Sequence, residues 1–264
     1  MRKVLVIGIG AGDPDQITVQ AVKALAGVDV FFVLEKGEVK RELVDLREEI
    51  LRRHRGDRPY RVVRGRDPER DRRAEAYAEA VHDWRRRRAD VCAEMIDREL
   101  GPGQTGAFLV WGDPSLYDST LAILEDVLAR PGTAFEIEAI PGISSISALA
   151  ARHRIGLNRV GRPFQVTTGR RLAEGWPEGA DDVLVMLDAS NAFTRVDAFT
   201  GVDAADVEIF WGAYLGMPDE ILISGRLPDV AAEIVAARAE ARARKGWIMD
   251  SYLLRRTRGG DDAR

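Results

Sequence analysis

Asp13 and Asp113 are the side chains whose setting best suits chemistry, because each lies between a glycine and a proline just past an apolar run. The first run, Lys3-Val4-Leu5-Val6-Ile7, opens into G-I-G-A-G-D-P from Gly8 to Pro14. The second, Ala107-Phe108-Leu109-Val110-Trp111, opens into G-D-P-S-L-Y-D-S-T from Gly112 to Thr120. A short apolar strand that breaks into glycine, an acid and proline is how an open α/β sheet presents backbone and one carboxylate at its carboxyl edge. Two such edges in one domain imply a shared cleft and an enzyme. Either carboxylate could orient a substrate or assist proton movement. Each could equally organise its own turn through backbone amides, as Asp before proline commonly does. Tyr117 is open in the same way, as a donor to a substrate carbonyl or as a packed ring.

The elements that must position these groups follow from periodicity. Apolar runs at 3–7, 29–34, 60–63, 107–111 and 135–140 read as strands, and helical spacing is expected over 16–25, 38–53, 70–99 and 120–128. A further helix opens in P-G-I-S-S-I-S-A-L-A-A, Pro141 to Ala151, where small hydroxylated residues can satisfy free amides. Strand, turn and helix recurring in this way imply a parallel sheet. Beyond Pro163 the texture changes. Strands are expected at 164–167, 183–187, 207–211, 220–224 and 247–254, with an alanine-rich helix from Pro228 to Lys245. The expectation is therefore an α/β chain with a mainly parallel domain over 1–158 and a mixed-sheet domain over 162–256. A tail over 257–264 with nothing to bury should be disordered.

With 264 residues and 45% hydrophobic composition, the chain can bury a large core. A formal charge of −4 argues against nucleic-acid binding by bulk electrostatics. Arginines crowd residues 52–88 and include Arg85-Arg86-Arg87-Arg88, which reads as a solvated helix surface, a polyanion-docking face or an RNA contact. The single cysteine, Cys92, rules out an internal disulfide and reads as a packed thiol. His54, His82 and His153 form no close pair, so no metal site is expected. The N-terminus reads straight into a strand with no leader and no apolar segment is long enough to span a bilayer, so a cytoplasmic protein is expected.

The glycine loops invite comparison with nucleotide sites. In Gly8-Ile9-Gly10-Ala11-Gly12 the third glycine is one place early for a G-x-G-x-x-G fingerprint. Asp13 would repel a pyrophosphate there and Pro14 removes an amide, so an NAD-dependent oxidoreductase is the weaker reading. G-K-S, G-K-T and G-x-S-x-G are absent. Carboxylates and compact turns without a phosphate cradle permit a ligand with a positive centre and an amino-acid end, such as S-adenosylmethionine.

Three segments then carry a resemblance. G-I-G-A-G-D-P with Thr18, W-G-D-P-S-L-Y with Ser119-Thr120, and P-G-I-S-S-I-S-A-L-A-A resemble, in that order, the three signatures of the tetrapyrrole (corrin/porphyrin) methylase family. The resemblance covers nearly the whole chain. It implies two α/β domains with the active site in the cleft between them, a homodimer, and S-adenosylmethionine as cofactor with S-adenosylhomocysteine as product. Within the family, T-T-G-R-R-L at Thr167–Leu172, F-W-G-A-Y-L-G at Phe210–Gly216 and Gly246–Arg255 resemble the branch that methylates C-1 of precorrin-5 and expels acetate. A sibling precorrin C-methyltransferase stays open.

Carried over by position, the resemblance implies that Trp111, Gly112 and Asp113 lie along the cofactor, with Ser119, Thr120 and Ala11 near it. Ser145 and Ile146 line the pocket, unless Ser145 simply caps its helix. Met186 and Leu187 form an apolar wall, unless they are core. Ala213, Tyr214, Leu215, Lys245 and Gly246 finish the pocket. Asp13, Asp113 and Tyr117 are the candidate catalytic groups. Arg159, Arg162, Arg170 and Arg171 are candidate partners for substrate carboxylates, bidentate where geometry permits, or else ordinary surface arginines.

Overall fold

A computed structural model describes residues 1–35, 41–69 and 77–257. The expected helical starts over 38–40 and 70–76, and the tail from Arg258, lie outside the described residues. Thr257, expected in that tail, instead donates its amide to Asp206 O at 2.6 Å. The chain divides into two compact units, Met1–Ser144 and Ser145–Arg264.

The first unit holds strands β1 (Lys3–Gly8), β2 (Val30–Glu35), β3 (Arg61–Arg66), β4 (Thr105–Val110) and β5 (Glu136–Ile140). All pair in parallel, in the order β3-β2-β4-β1-β5. Alternation along the strands sorts the core into two layers, as a sheet covered on both faces requires. Val4, Val6, Phe32, Phe108 and Val110 face α3 (Tyr77–Glu99) and α4 (Thr120–Leu128), meeting Cys92, Ile96, Ile123, Leu124 and Val127. Leu5, Ile7, Phe31, Ala107 and Leu109 face α1 (Val19–Leu25) and α2 (Arg41–His54), meeting Ala21, Leu25, Ile50 and Leu51.

The second unit begins with α5 (Ser145–His153) and continues with β6 (Phe164–Thr168), α6 (Gly169–Leu172), β7 (Asp182–Met186), α7 (Val196–Thr200), β8 (Val207–Ala213), β9 (Ile221–Arg226), α8 (Leu227–Lys245) and β10 (Asp250–Arg256). Its strand order is β6-β7-β10-β8-β9. Only β6 and β7 run parallel; β10 is antiparallel to β7 and β8, and β8 to β9, so the sheet is mixed.

The division falls earlier than the break near residue 160 read from sequence. Helix α5 follows β5 as one more strand–turn–helix repeat would, yet its buried face belongs to the second sheet. A side chain at Gly212 would meet Leu149 Cδ1 at 2.8 Å, and the His153 ring stands edge-on to Phe210 at 5.7 Å. His153 Nε2 bonds to Trp211 O at 3.0 Å, and burial lowers its pKa. Among the described residues, no helix is long and apolar enough to cross a membrane and no group of His, Cys, Asp and Glu could hold a metal ion.

Candidate active site

At the carboxyl edge of the first sheet, the turns after β1, β4 and β5 stack backbone on backbone. Gly10 and Gly112 form an isolated antiparallel bridge, with Gly112 N to Gly10 O at 2.8 Å. A Cβ on Gly142 would lie 2.2 Å from Gly112 O and 2.7 Å from Gly8 C, so three strand ends meet where no side chain fits. Asp113 ties the turns together. Its Oδ1 accepts from Ser115 N at 2.8 Å and from the Ser115 hydroxyl, and its Oδ2 accepts from Gly142 N at 2.9 Å. Burial works to raise the Asp113 pKa, but the hydrogen bonds from Ser115 and Gly142 outweigh it and hold the carboxyl below its ordinary value. Asp13 accepts from Asp15 N at 2.9 Å and caps a short turn of helix. Both acids thus organise their own turns.

The neighbouring groups are mostly engaged. Ala11 is buried, and its amide donates to Gln16 Oε1 at 2.8 Å. Trp111 is half-buried and Thr120 is buried, with its amide on Asp118 Oδ1 at 2.7 Å. Ser119 Oγ accepts from Arg88 Nη1 at 3.2 Å. Tyr117 stands apart: it holds φ +51 and is 47% exposed, and partial burial raises its hydroxyl pKa, so it stays a donor.

Two half-buried arginines, Arg88 of the arginine-rich stretch and Arg47 upstream of it, bond to the first sheet's surroundings. Arg88 pairs with buried Asp67 at 3.1 Å, and Arg47 Nε donates to Leu109 O at 3.0 Å. Burial pushes the Arg47 guanidinium down to about 10. Arg52 and Arg53 share Glu49, Arg61 pairs with Glu99, Arg64 with Glu35 and Glu48, Arg85 with Asp126, and Arg86 and Arg87 with Asp83. Among the described residues, these pairs make a mixed-charge surface.

In the second sheet, register places Met186 opposite Thr168 and Ser251, and Ala213 opposite Asp250 and Ile221. The ends of β6, β7 and β8 therefore share one edge with the starts of β9 and β10. This brings Met186, Leu187 and Ala213–Leu215 together at that edge. Met186 is half-buried, and Leu187 holds φ +54 with its side chain 66% exposed, so it is no core residue. Ala213 and Leu215 are buried. Tyr214, also left-handed at φ +51, is fully buried, with its hydroxyl on Trp247 O at 2.6 Å and its amide on Met249 O at 3.0 Å. Its ring therefore holds the edge from within. Lys245 has the same part, pairing with Asp219 while its ammonium lies 4.9 Å from the Tyr214 ring centroid, and Gly246 closes α8. Ser145 and Ile146 are half-buried at the start of α5.

The four candidate arginines divide. Arg159 is committed to the fold: its Nε lies 3.5 Å from buried Asp182 and its Nη2 donates to Arg256 O. Arg162 and Arg170 are exposed, and Arg171 pairs with Glu174 at 2.6 Å on an exposed helix face. Arg170 and Arg171 follow β6 after Gly169, at the same edge as Met186.

Sequence reasoning missed the buried polar set beneath this edge: Asp188, Tyr252, Arg238, Asp250 and Trp211. Its sequence signal was a charge closing an apolar run and one arginine facing inward from an alanine-rich helix. An adenosyl sulfonium asks for bare backbone, apolar surface and no phosphate cradle. In the first unit the turn at Gly112 offers bare backbone, and in the second Leu187 offers exposed apolar surface.

Comparison with known proteins agrees with this architecture. The family model "Tetrapyrrole (Corrin/Porphyrin) Methylases" matches residues 3–231. Precorrin-6A synthase [deacetylating] of Sinorhizobium sp is 49% identical over 256 residues, covering 97% of this chain and 96% of the relative. A crystal structure of a cobalamin synthesis related protein (CobF) from Corynebacterium diphtheriae superposes with TM-score 0.81 at 35% identity, over 98% of this chain and all of that one. Uroporphyrin-III C-methyl transferase from Thermus thermophilus, solved with S-adenosylhomocysteine, shares the fold at TM-score 0.55 and 17% identity, over 96% and 91% of the two chains. A match running from β1 into α8, on a fold whose first sheet gathers the three signature turns at its carboxyl edge, makes this chain a member of the tetrapyrrole (corrin/porphyrin) methylases.

Proposed function

We propose that this chain methylates C-1 of precorrin-5 with S-adenosylmethionine and releases acetate, giving precorrin-6A. The observation that carries the reading is the full-length likeness to the Sinorhizobium precorrin-6A synthase. When bound, the cofactor supplies an electrophilic methyl carbon on a sulfonium centre. The residues assigned to hold it are Ala11, Trp111, Gly112, Asp113, Ser119 and Thr120 of the first unit, with Ser145, Ile146, Met186, Leu187 and the Ala213–Leu215 and Lys245–Gly246 backbone of the second. These groups need little acid–base power, since orientation and exclusion of water account for much of the rate in such a transfer.

Substrate carboxylates fall to Arg162, Arg170 and Arg171. The exposed Arg171–Glu174 pair contributes at most about 1 kcal/mol, so a substrate carboxylate can replace Glu174 at little cost. Acetate release needs water to attack the acyl carbonyl while a donor stabilises the oxyanion, after which the bond from the acyl carbon to the macrocycle breaks and its electron pair stays on the macrocycle. Tyr117, exposed and held protonated, is assigned that role. On the resemblance alone, the enzyme works in the cytoplasm as a homodimer, which cell fractionation and sedimentation test.

Calorimetric titration with S-adenosylhomocysteine and with NAD tests the cofactor reading. Binding of the first without the second is expected. Micromolar NAD binding without S-adenosylhomocysteine binding would overturn it.

A further inference from the structure

Leu187 combines two unfavourable features, since a leucine in the left-handed region is strained and an apolar side chain 66% exposed gains little from burial. Such a residue persists only where its surroundings over-determine it, and strain of that kind clusters at functional turns. Here the surroundings are one residue away. Asp188 is buried and accepts at all three of its oxygens. Its Oδ1 takes Ser190 N at 2.9 Å and Ser190 Oγ at 3.2 Å, and its Oδ2 takes Ala192 N at 2.7 Å and the Tyr252 hydroxyl at 2.7 Å. Its carbonyl accepts from Arg238 Nη2.

Arg238 is fixed in turn. Its Nε lies 2.8 Å from Asp250 Oδ2, which also accepts from Trp211 Nε1 at 2.8 Å. Asp188 presses on the turn after β6 as well, because a Cβ on Gly169 would lie 2.4 Å from its carboxyl carbon. The carboxylate thus fixes the turn that presents Leu187 and abuts the one that presents Arg170 and Arg171.

We propose that Asp188, clamped by Tyr252 and Arg238, is a positioning residue for cofactor binding: it keeps Leu187 left-handed and outward, so that the apolar wall exists before the ligand arrives. This rests on the reading of Leu187 as a cofactor contact. A wall set in advance lowers the ordering cost of binding, so its loss appears in affinity rather than in the chemical step.

The test uses the full chain and three variants, with S-adenosylhomocysteine affinity by calorimetry, KM for S-adenosylmethionine, kcat, and the thermal midpoint of the ligand-free protein. Tyr252→Phe keeps the ring and deletes one bond to Asp188; it should weaken S-adenosylhomocysteine and raise KM about 10-fold with kcat within about twofold. Ser190→Ala deletes only the Oγ bond and should weaken binding about threefold, which keeps the series readable if Tyr252→Phe does not fold. Leu187→Gly removes the strain and the wall together, so it should raise the thermal midpoint while weakening S-adenosylhomocysteine about 10-fold. If Tyr252→Phe or Ser190→Ala lowers the midpoint but leaves affinity and KM unchanged while Leu187→Gly weakens binding, the positioning role is overturned and the pocket reading stands. Unchanged affinity in Leu187→Gly removes Leu187 from the pocket, and the proposal falls with it.

Discussion

The two sheet edges are built by opposite means. The first is made by leaving side chains out: Gly8, Gly112 and Gly142 bring backbone against backbone, and Asp113 bonds the turns together. The second is made by burying polar side chains under it, with Asp188, Arg238, Asp250, Trp211 and Tyr252 joined by hydrogen bonds and ion pairs. A glycine edge has one permitted geometry because sterics forbid the others. A polar network holds its edge only while every member keeps its partner. The first should therefore be intolerant of added volume, and the second of removed charge.

Arg238→Met should have the largest effect. It removes the partner of buried Asp250 and should cost about 3–5 kcal/mol at pH 7, read from urea unfolding. Burial already raises the Asp250 pKa, so its contribution to stability is fully present below about pH 3.9 and is lost as pH rises through its folded value. The deficit of the variant should therefore shrink as pH falls; a loss under about 1 kcal/mol would mean the network is not integral to the edge. Gly142→Ala comes next. A methyl group 2.2 Å from Gly112 O must displace backbone, at a cost on the order of 3 kcal/mol, and S-adenosylhomocysteine binding should be lost. A variant with native stability and affinity would break the account of the first edge.

Asp113→Asn should cost about 1–3 kcal/mol, since an amide nitrogen would face the Gly142 N–H. The sign with pH is the reverse of that at Asp250. The folded Asp113 pKa is lowered, so its contribution is present above about pH 3.9 and is lost as pH falls through the folded value. Wild type and variant should converge in stability below that range, and a constant gap would contradict the assignment. The smallest effect is expected at Cys92, buried on the sheet-facing side of α3, where burial pushes the thiol up to about 12. It should resist a thiol-reactive disulfide at pH 8 until the chain unfolds, as mass spectrometry would show.

The same contrast explains what was legible in the sequence. The first edge is written locally. Glycine and proline punctuate the strand ends, and Thr18 caps α1 by accepting from Ala21 N at 3.1 Å, three residues on. The second edge depends on pairs far apart in the chain, since Tyr252 and Asp188 are 64 residues apart and Arg238 and Asp188 are 50. No periodicity records such pairs. Helix α5 packs on the second sheet rather than the first, and an apolar helix face shows that it is buried without showing against which sheet. Arg159 looked like the other candidate arginines until buried Asp182, 23 residues on in the sequence, was placed beside it.

Incubating the enzyme with precorrin-5 and S-adenosylmethionine carrying a labelled methyl group, then following macrocycle and acetate together by mass spectrometry, tests the proposed reaction. One labelled methyl at C-1 and one acetate released for each methyl transferred are expected. Methyl transfer without acetate would assign the chain to a sibling step, and no transfer to precorrin-5 or to any other precorrin would contradict the proposed function outright.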